Sequence, residues 1–235
     1  MNKTNNIKSD VNGFSINYYR EILESAKNNG YEFLRIRDYV LNKNAKTEKK
    51  IALIRHDLDD KPQRLGAILD VEDDLGIRSS IYVLVHTNLY NFLSVPVLQS
   101  LRQAESMGFE IGLHSNFVEF AKLLDTDPDE ILAKEIEILR CHFQIDGIAC
   151  HRNIDYMFNS LPYLEEKWPS FKKSLSLLYQ AYDQELFGGF QFVNEGLSPH
   201  LGWRSLTPEE VIASGQSFYL STHPHWWHRV HAFED

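Results

Sequence analysis

The run Ile51-Ala52-Leu53-Ile54 gives way at once to Arg55-His56-Asp57-Leu58-Asp59-Asp60. An unbroken apolar tetrapeptide suits a strand buried on both faces, as in a parallel sheet. The same motif recurs along the chain. Ser79 to Val85 reads as a second strand, Phe109 to Leu113 as a third ending in His114, and Asp146 to Cys150 as a fourth ending in His151-Arg152-Asn153. Gln216 to Ser221 reads as a last strand that ends in Thr222-His223-Pro224-His225. Leu177 to Asp183 and Phe190 to Val193 read as short strands between them.

Helical patterns separate these strands. Pro62 opens a helix that runs through Leu65, Ile68, Leu69 and Val71 to Gly76, and Val95 to Met107 forms another, stopped by Gly108. Asp127-Pro128 starts a third, and Thr207-Pro208-Glu209-Glu210 has the spacing of a capping box. Before the first strand, Tyr18 to Asn29 is amphipathic, with Tyr19, Ile22, Leu23 and Ala26 on one face. Tyr156 to Ser176, which holds Pro162, Trp168 and Pro169, reads as loops and short helices. Strand alternating with helix means parallel βα units, an α/β fold. In such folds ligands bind at the carboxyl ends of strands, and polar clusters stand in that place here.

Composition narrows the function. With 43 % hydrophobic residues among 235, the chain can bury a large core. Its net charge of -9 argues against a nucleic-acid-binding domain. Cys141 and Cys150 form no CxxC pair, which suits a reducing compartment. Residues 1–12 are polar and read as a flexible tail without a signal peptide, and no apolar window is long enough for a membrane span. The expectation is a cytoplasmic protein whose residues 13–235 form one domain with an N-terminal helical lead-in.

The clusters carry metal and acid–base chemistry. Along an extended segment Asp57 and Asp59 share a side, so one can bind a divalent cation while the other acts as general base. His114 is a suitable ligand for zinc or a similar metal. Arg152 offers a planar fork of donors that can orient a carboxylate or bind an anion. His151 suits either a ligand or a structural role. His223 suits a general acid, and Trp226 and Trp227 suit either an aromatic wall for a sugar ring or a core plug. No phosphate-binding glycine loop and no nucleophile elbow is present.

In order and spacing, Arg55-His56-Asp57-Leu58-Asp59-Asp60, Glu110-Ile111-Gly112-Leu113-His114-Ser115, Arg152 and His223-Pro224 resemble the polysaccharide deacetylase family. This is the NodB-homology, or carbohydrate esterase 4, group, in a branch whose first motif reads RHDxD. The resemblance implies a distorted (β/α) barrel of about seven parallel strands. It implies a metal-dependent hydrolase, with zinc as the usual ion, that deacetylates N-acetylated sugars in polysaccharide or glycoconjugate biosynthesis. One of Asp57 and Asp59 would be base and the other ligand, with Asp57 set as base and Asp59 on the metal. Arg152 would orient the base, and His223 would be the acid. His114 would be a ligand, but the family's second His falls on Val118. His151, His225 or His86 could replace it, and His151 is set in the metal group with Asp59 and His114. Asn153, Trp226 and Trp227 would meet the carbohydrate, free or as a nucleotide or lipid conjugate. The missing His leaves two alternatives: an inactive, carbohydrate-binding relative, or a hydrolase of another C–N amide bond.

Overall fold

The computed structural model describes residues 13–42, 49–151, 159–195 and 202–230. The expected tail at 1–12 lies outside them.

Among the described residues, eight parallel strands alternate with helices: β1 Tyr31–Leu34, β2 Lys50–Leu58, β3 Ser80–Leu84, β4 Glu110–Ser115, β5 Gly147–Cys150, β6 Tyr179–Gln180, β7 Gln191–Asn194 and β8 Phe218–Thr222. They run in the order β6-β5-β4-β3-β2-β8-β7, with β1 beside the first half of β2. The sheet curls into a distorted, incompletely closed (β/α) barrel, its two ends being β6 and β7. Phe187 packs across that gap, its ring 6.4 Å from Tyr179 and 5.2 Å from Tyr219.

Side-chain alternation sorts the core into layers. Ala52, Ile54, Phe218 and Leu220 point outward to helices α1 Ile16–Asn28, α3 Leu65–Asp74 and α9 Pro208–Ser214. Ile81, Ile111 and Ile148 pack against α4 Val95–Ser106, α6 Pro128–Arg140 and α7 Ser160–Ser174. The alternate set, Ile51, Leu53, Tyr82, Tyr179 and Tyr219, fills the barrel, with Ile36 of α2 Ile36–Leu41 joining from below. Two glycines make room for the tyrosines. A Cβ on Gly147 would lie 2.1 Å from the Tyr179 ring, and one on Gly112 would lie 2.6 Å from Tyr82. The two tyrosine hydroxyls meet at 2.6 Å, and Tyr179 donates to buried Glu110 at 2.5 Å. This satisfied polar plug closes the lower barrel and leaves the carboxyl ends of the strands for the site.

Several elements match the sequence reading closely. Helix α1 buries Tyr19, Ile22, Leu23 and Ala26, and Thr207 with Glu210 forms the capping box of α9. Three differ. β2 does not end at Ile54 but runs on through Arg55, His56 and Asp57, because each of these charged groups finds a buried partner. The segment after Asn159 is one helix of 15 residues, α7. Asn159 caps it, Pro162 sits in the first turn where no amide partner is lost, and the helix continues through Pro169 with Leu164 and Phe171 buried on either side. The strand expected over Leu177 to Asp183 shortens to β6. Among the described residues no helix is long and apolar enough to cross a membrane.

Candidate metal centre

β2 supplies the centre of the site. Its inward positions Arg55 and Asp57 are buried, while His56 between them faces the helices. His56 is held there by Thr222 Oγ1 at 2.6 Å and Glu72 Oε1 at 3.0 Å. Glu72 also accepts from Tyr19 at 2.5 Å and Ser79 at 2.6 Å. A fully buried carboxylate with this many partners fixes the strand from behind.

On the barrel side, Arg55 Nη2 donates to Asp57 Oδ2 at 2.8 Å and to the Tyr182 hydroxyl at 2.9 Å. The rings of Tyr182, Tyr219 and Tyr82 lie 4.8, 5.7 and 5.9 Å from the guanidinium carbon. Burial pushes the Asp57 carboxyl up, but the Arg55 charge and the nearby imidazoles outweigh it and hold it below the usual carboxylate range. Asp57 is therefore held in its ionised form at neutral pH.

Three imidazoles converge on Asp59, just past β2. His114 Nε2, from β4, lies 3.2 Å from Asp59 Oδ1. His151 Nε2, after β5, lies 3.7 Å from Oδ2, and His223 Nε2, after β8, lies 3.5 Å from it. His114 Nδ1 is 2.8 Å from the Ala149 carbonyl, which can only accept, so this nitrogen carries the proton. The lone pair of Nε2 then faces the Asp59 carboxylate. Two acceptors at that distance repel unless a proton or a cation stands between them. Donor atoms of Asp59, His114 and His151 all lie within 4.8 Å of one another. One carboxylate and two imidazoles, one of them fixed by a backbone carbonyl, fit a zinc-like divalent ion.

His223 is built differently. Its Nδ1 is 2.7 Å from Glu195 Oε2, which also accepts its backbone N–H at 2.8 Å. Glu195 Oε1 accepts from Trp227 Nε1. Burial pulls the His223 pKa down, but the Glu195 hydrogen bond and charge push it up to about 9. Its neighbour His225 goes the other way, lowered to about 4 by burial and by the charge of His223.

Arg55, Asp57, Asp59, His114, His151, Glu195 and His223 line a cleft of about 700 Å³. Trp226 borders it, 4.8 Å from the His223 ring, as do Phe187, Phe190 and Phe192. Trp227 does not. It is buried beside Phe14 and Tyr19 at 4.9 and 5.0 Å, and its indole N–H serves Glu195 rather than a ligand. Of the three histidines able to replace the one missing at Val118, only His151 reaches Asp59. His86 bonds Glu135 at 2.6 Å and stacks on Phe120, and neither it nor His225 lines the cleft. Val118 is buried on the first turn of α5 Phe117–Leu123, away from the cleft lining. Arg152 and Asn153 lie outside the described residues. The grip on Asp57 that the resemblance gives to Arg152 is exerted, among the described residues, by Arg55.

No family model matches the chain, and no curated protein matches it. A solved structure from Bordetella bronchiseptica, named a "putative polysaccharide deacetylase involved in o-antigen biosynthesis", is similar to it at 17% identity. The likeness covers 84% of this chain and 80% of that one, with a TM-score of 0.49. At that level it says nothing of this chain's activity, and the site stands on its own geometry.

Two groups here carried no role in the sequence reading. Arg55 was visible in the first cluster, but its distance from the loop gave no sign that it would turn back onto Asp57. Glu195 follows β7 as His114 and His223 end their strands, so the strand-end rule extends to it once β7 is placed at Gln191–Asn194.

Proposed function

We propose that this protein is a metal-dependent hydrolase that removes an acetyl group from the nitrogen of an N-acetylated sugar. The observation that carries the reading is the convergence of Asp59, His114 and His151 between an arginine-held carboxylate and a glutamate-held imidazole, in one cleft. Bound by those three residues, a divalent cation supplies Lewis acidity to the acyl carbonyl and lowers the pKa of a water.

The chain's own residues do the proton work. Asp57, ionised and oriented by Arg55, takes a proton from the attacking water as its oxygen bonds to the acyl carbon. His223 gives its Nε2 proton to the departing nitrogen as the C–N bond breaks, while Nδ1 keeps its hydrogen bond to Glu195. The products are a carboxylate and a sugar amine. Trp226 and the phenylalanines of the cleft offer apolar faces of the kind that sugar rings stack on. The motif order, with its resemblance to the polysaccharide deacetylases, supports the sugar and the acetyl group over other amides.

The test is acetate release from a panel of N-acetylated sugars, their nucleotide and lipid conjugates, and small non-sugar amides. Release from a sugar member should stop with chelator, return with added zinc or cobalt, and be abolished by Asp57→Asn. Release that is indifferent to chelator, or confined to non-sugar amides, refutes the reading.

A further inference from the structure

The chain carries 33 acidic residues against 24 lysines and arginines, so acceptors for a basic side chain are plentiful. Each of the other described arginines has one, from Asp74 for Arg20 at the surface to Asp57 for buried Arg55. Arg204 is the exception. Among the described residues its guanidinium makes no hydrogen bond and no ion pair. Its side chain is exposed and lines the cleft.

The backbone that presents it is fixed. Trp203 pairs with Glu195 in an antiparallel bridge, and the Arg204 N–H donates to the Asn194 carbonyl at 3.0 Å. The Trp203 indole donates to the Tyr18 hydroxyl at 3.0 Å, and its ring lies edge-on to Phe14 at 5.2 Å. Arg204 is thus tied to the segment whose Glu195 holds His223. In the proposed reaction His223 protonates the departing sugar amine, which brings the sugar to this side of the cleft. The inner cleft leaves no guanidinium or imidazolium over for an anion, since Arg55 is spent on Asp57 and His223 on Glu195. The exposed rim does, at Arg204. Ser205 adds a hydroxyl beside it, and Asn194 and Gln184 add amides to the lining. A planar fork with neutral donors around it suits phosphate, which has one more acceptor oxygen than a carboxylate. At about 700 Å³ the cleft is in the range of sites for drug-sized ligands, which leaves room beyond one sugar ring.

We propose that Arg204 binds a phosphate group attached to the acetylated sugar, so that the substrate is a phosphate-linked sugar rather than a free or polymeric one. This rests on the reading of the site as a sugar deacetylase, whose departing amine orients the ring.

Isothermal titration calorimetry of the full chain tests it with N-acetylglucosamine and N-acetylgalactosamine, each as the free sugar, the anomeric phosphate and the uridine diphosphate conjugate. For one of the two sugars the phosphorylated forms should bind at least about tenfold more tightly than the free form, the worth of one charge-assisted hydrogen bond. Added salt should narrow the gap. Arg204→Gln should abolish the preference and Arg204→Lys should keep part of it. Both should keep the wild-type melting temperature, because the side chain has no partner to lose among the described residues. Equal gain for both phosphorylated forms assigns the phosphate alone, and a further gain for the conjugate assigns a nucleoside diphosphate carrier; either supports the site. The inference is overturned if no phosphorylated sugar binds better than its free form, or if Arg204→Gln keeps the preference. The two readings fail separately. Chelator-sensitive acetate release from free sugars without that preference leaves the hydrolase and removes the phosphate site. An Arg204-dependent preference with no acetate release from any sugar keeps the site and removes the hydrolase.

Discussion

Replacing His151 by alanine separates this site from the family pattern that it resembles. In that pattern a second His four residues after His114 completes the metal set, and here the position is Val118, buried on α5. His151 approaches from the end of β5 instead, with its backbone N–H on the Ser115 carbonyl at 2.8 Å and its ring edge-on to His114 at 5.2 Å. Mutating even an outer partner of a metal ligand weakens binding by about 10–100-fold, so losing one of three protein ligands should raise the zinc dissociation constant at least about 100-fold, or roughly 2.7 kcal/mol. The side chain is 27% exposed and sits outside the core clusters, so the metal-free protein should keep its melting temperature. Competition against a chromophoric chelator measures the affinity. His86→Ala and His225→Ala serve as controls and should bind zinc as wild type does. The reasoning is refuted if His151→Ala binds zinc normally, or if His86→Ala or His225→Ala loses it as heavily.

Other perturbations probe the surroundings. Gly147→Ala places a methyl 2.1 Å from Tyr179, so it should destabilise the fold by about 3 kcal/mol or more in urea unfolding, and Tyr179→Leu should recover part of the loss. The Glu135 hydrogen bond raises the His86 pKa above its ordinary 6.5 against the opposing effect of burial. Its stabilisation is therefore complete below pH 6.5 and fades as pH rises through the folded value; Glu135→Gln should flatten that part of the melting-temperature profile. Trp226→Ala should raise KM for a sugar substrate more than it lowers stability, since the half-buried ring both borders the cleft and packs against the core. Trp227→Phe should instead lower stability by about 1–2 kcal/mol, because Glu195 loses a buried donor, while KM stays as it was.

The legible part of this fold is the part written in apolar periodicity. The amphipathic face of α1, the capping box of α9 and the strands ending in His114 and His223 follow from spacing alone. The end of β2 is not legible this way, because a run of charge looks like the exit from the core. Arg55 and His56 stay inside since their partners Tyr182, Thr222 and Glu72 come from segments that no local window contains, and Asp57 stays with them through Arg55. Glu195 is a different case: the strand Phe190 to Val193 is legible, but a lone acid two residues past a short, half-exposed strand carries no motif of its own. The adjacent Trp226 and Trp227 look alike in sequence, yet one borders the cleft and the other is core. Adjacency puts two side chains in different directions but cannot say which direction is inward.

The alternation of β2 explains why one strand can carry so much of the site. A strand buried on both faces exposes no charge to water, so every polar residue in it must be matched twice over, by side and by level. Inward, Arg55 meets Asp57 one level up; outward, His56 meets Glu72 behind the sheet. The outward pair ties β2 to α1 and α3 through Tyr19 and Glu72, and this immobilises the backbone from which Asp57 and Asp59 project. A base must keep its distance from a cation bound beside it, and two carboxylates two residues apart have no means of doing so on a mobile loop. The buried histidine that faces away from the cleft is thus part of what makes the arrangement of the two aspartates possible.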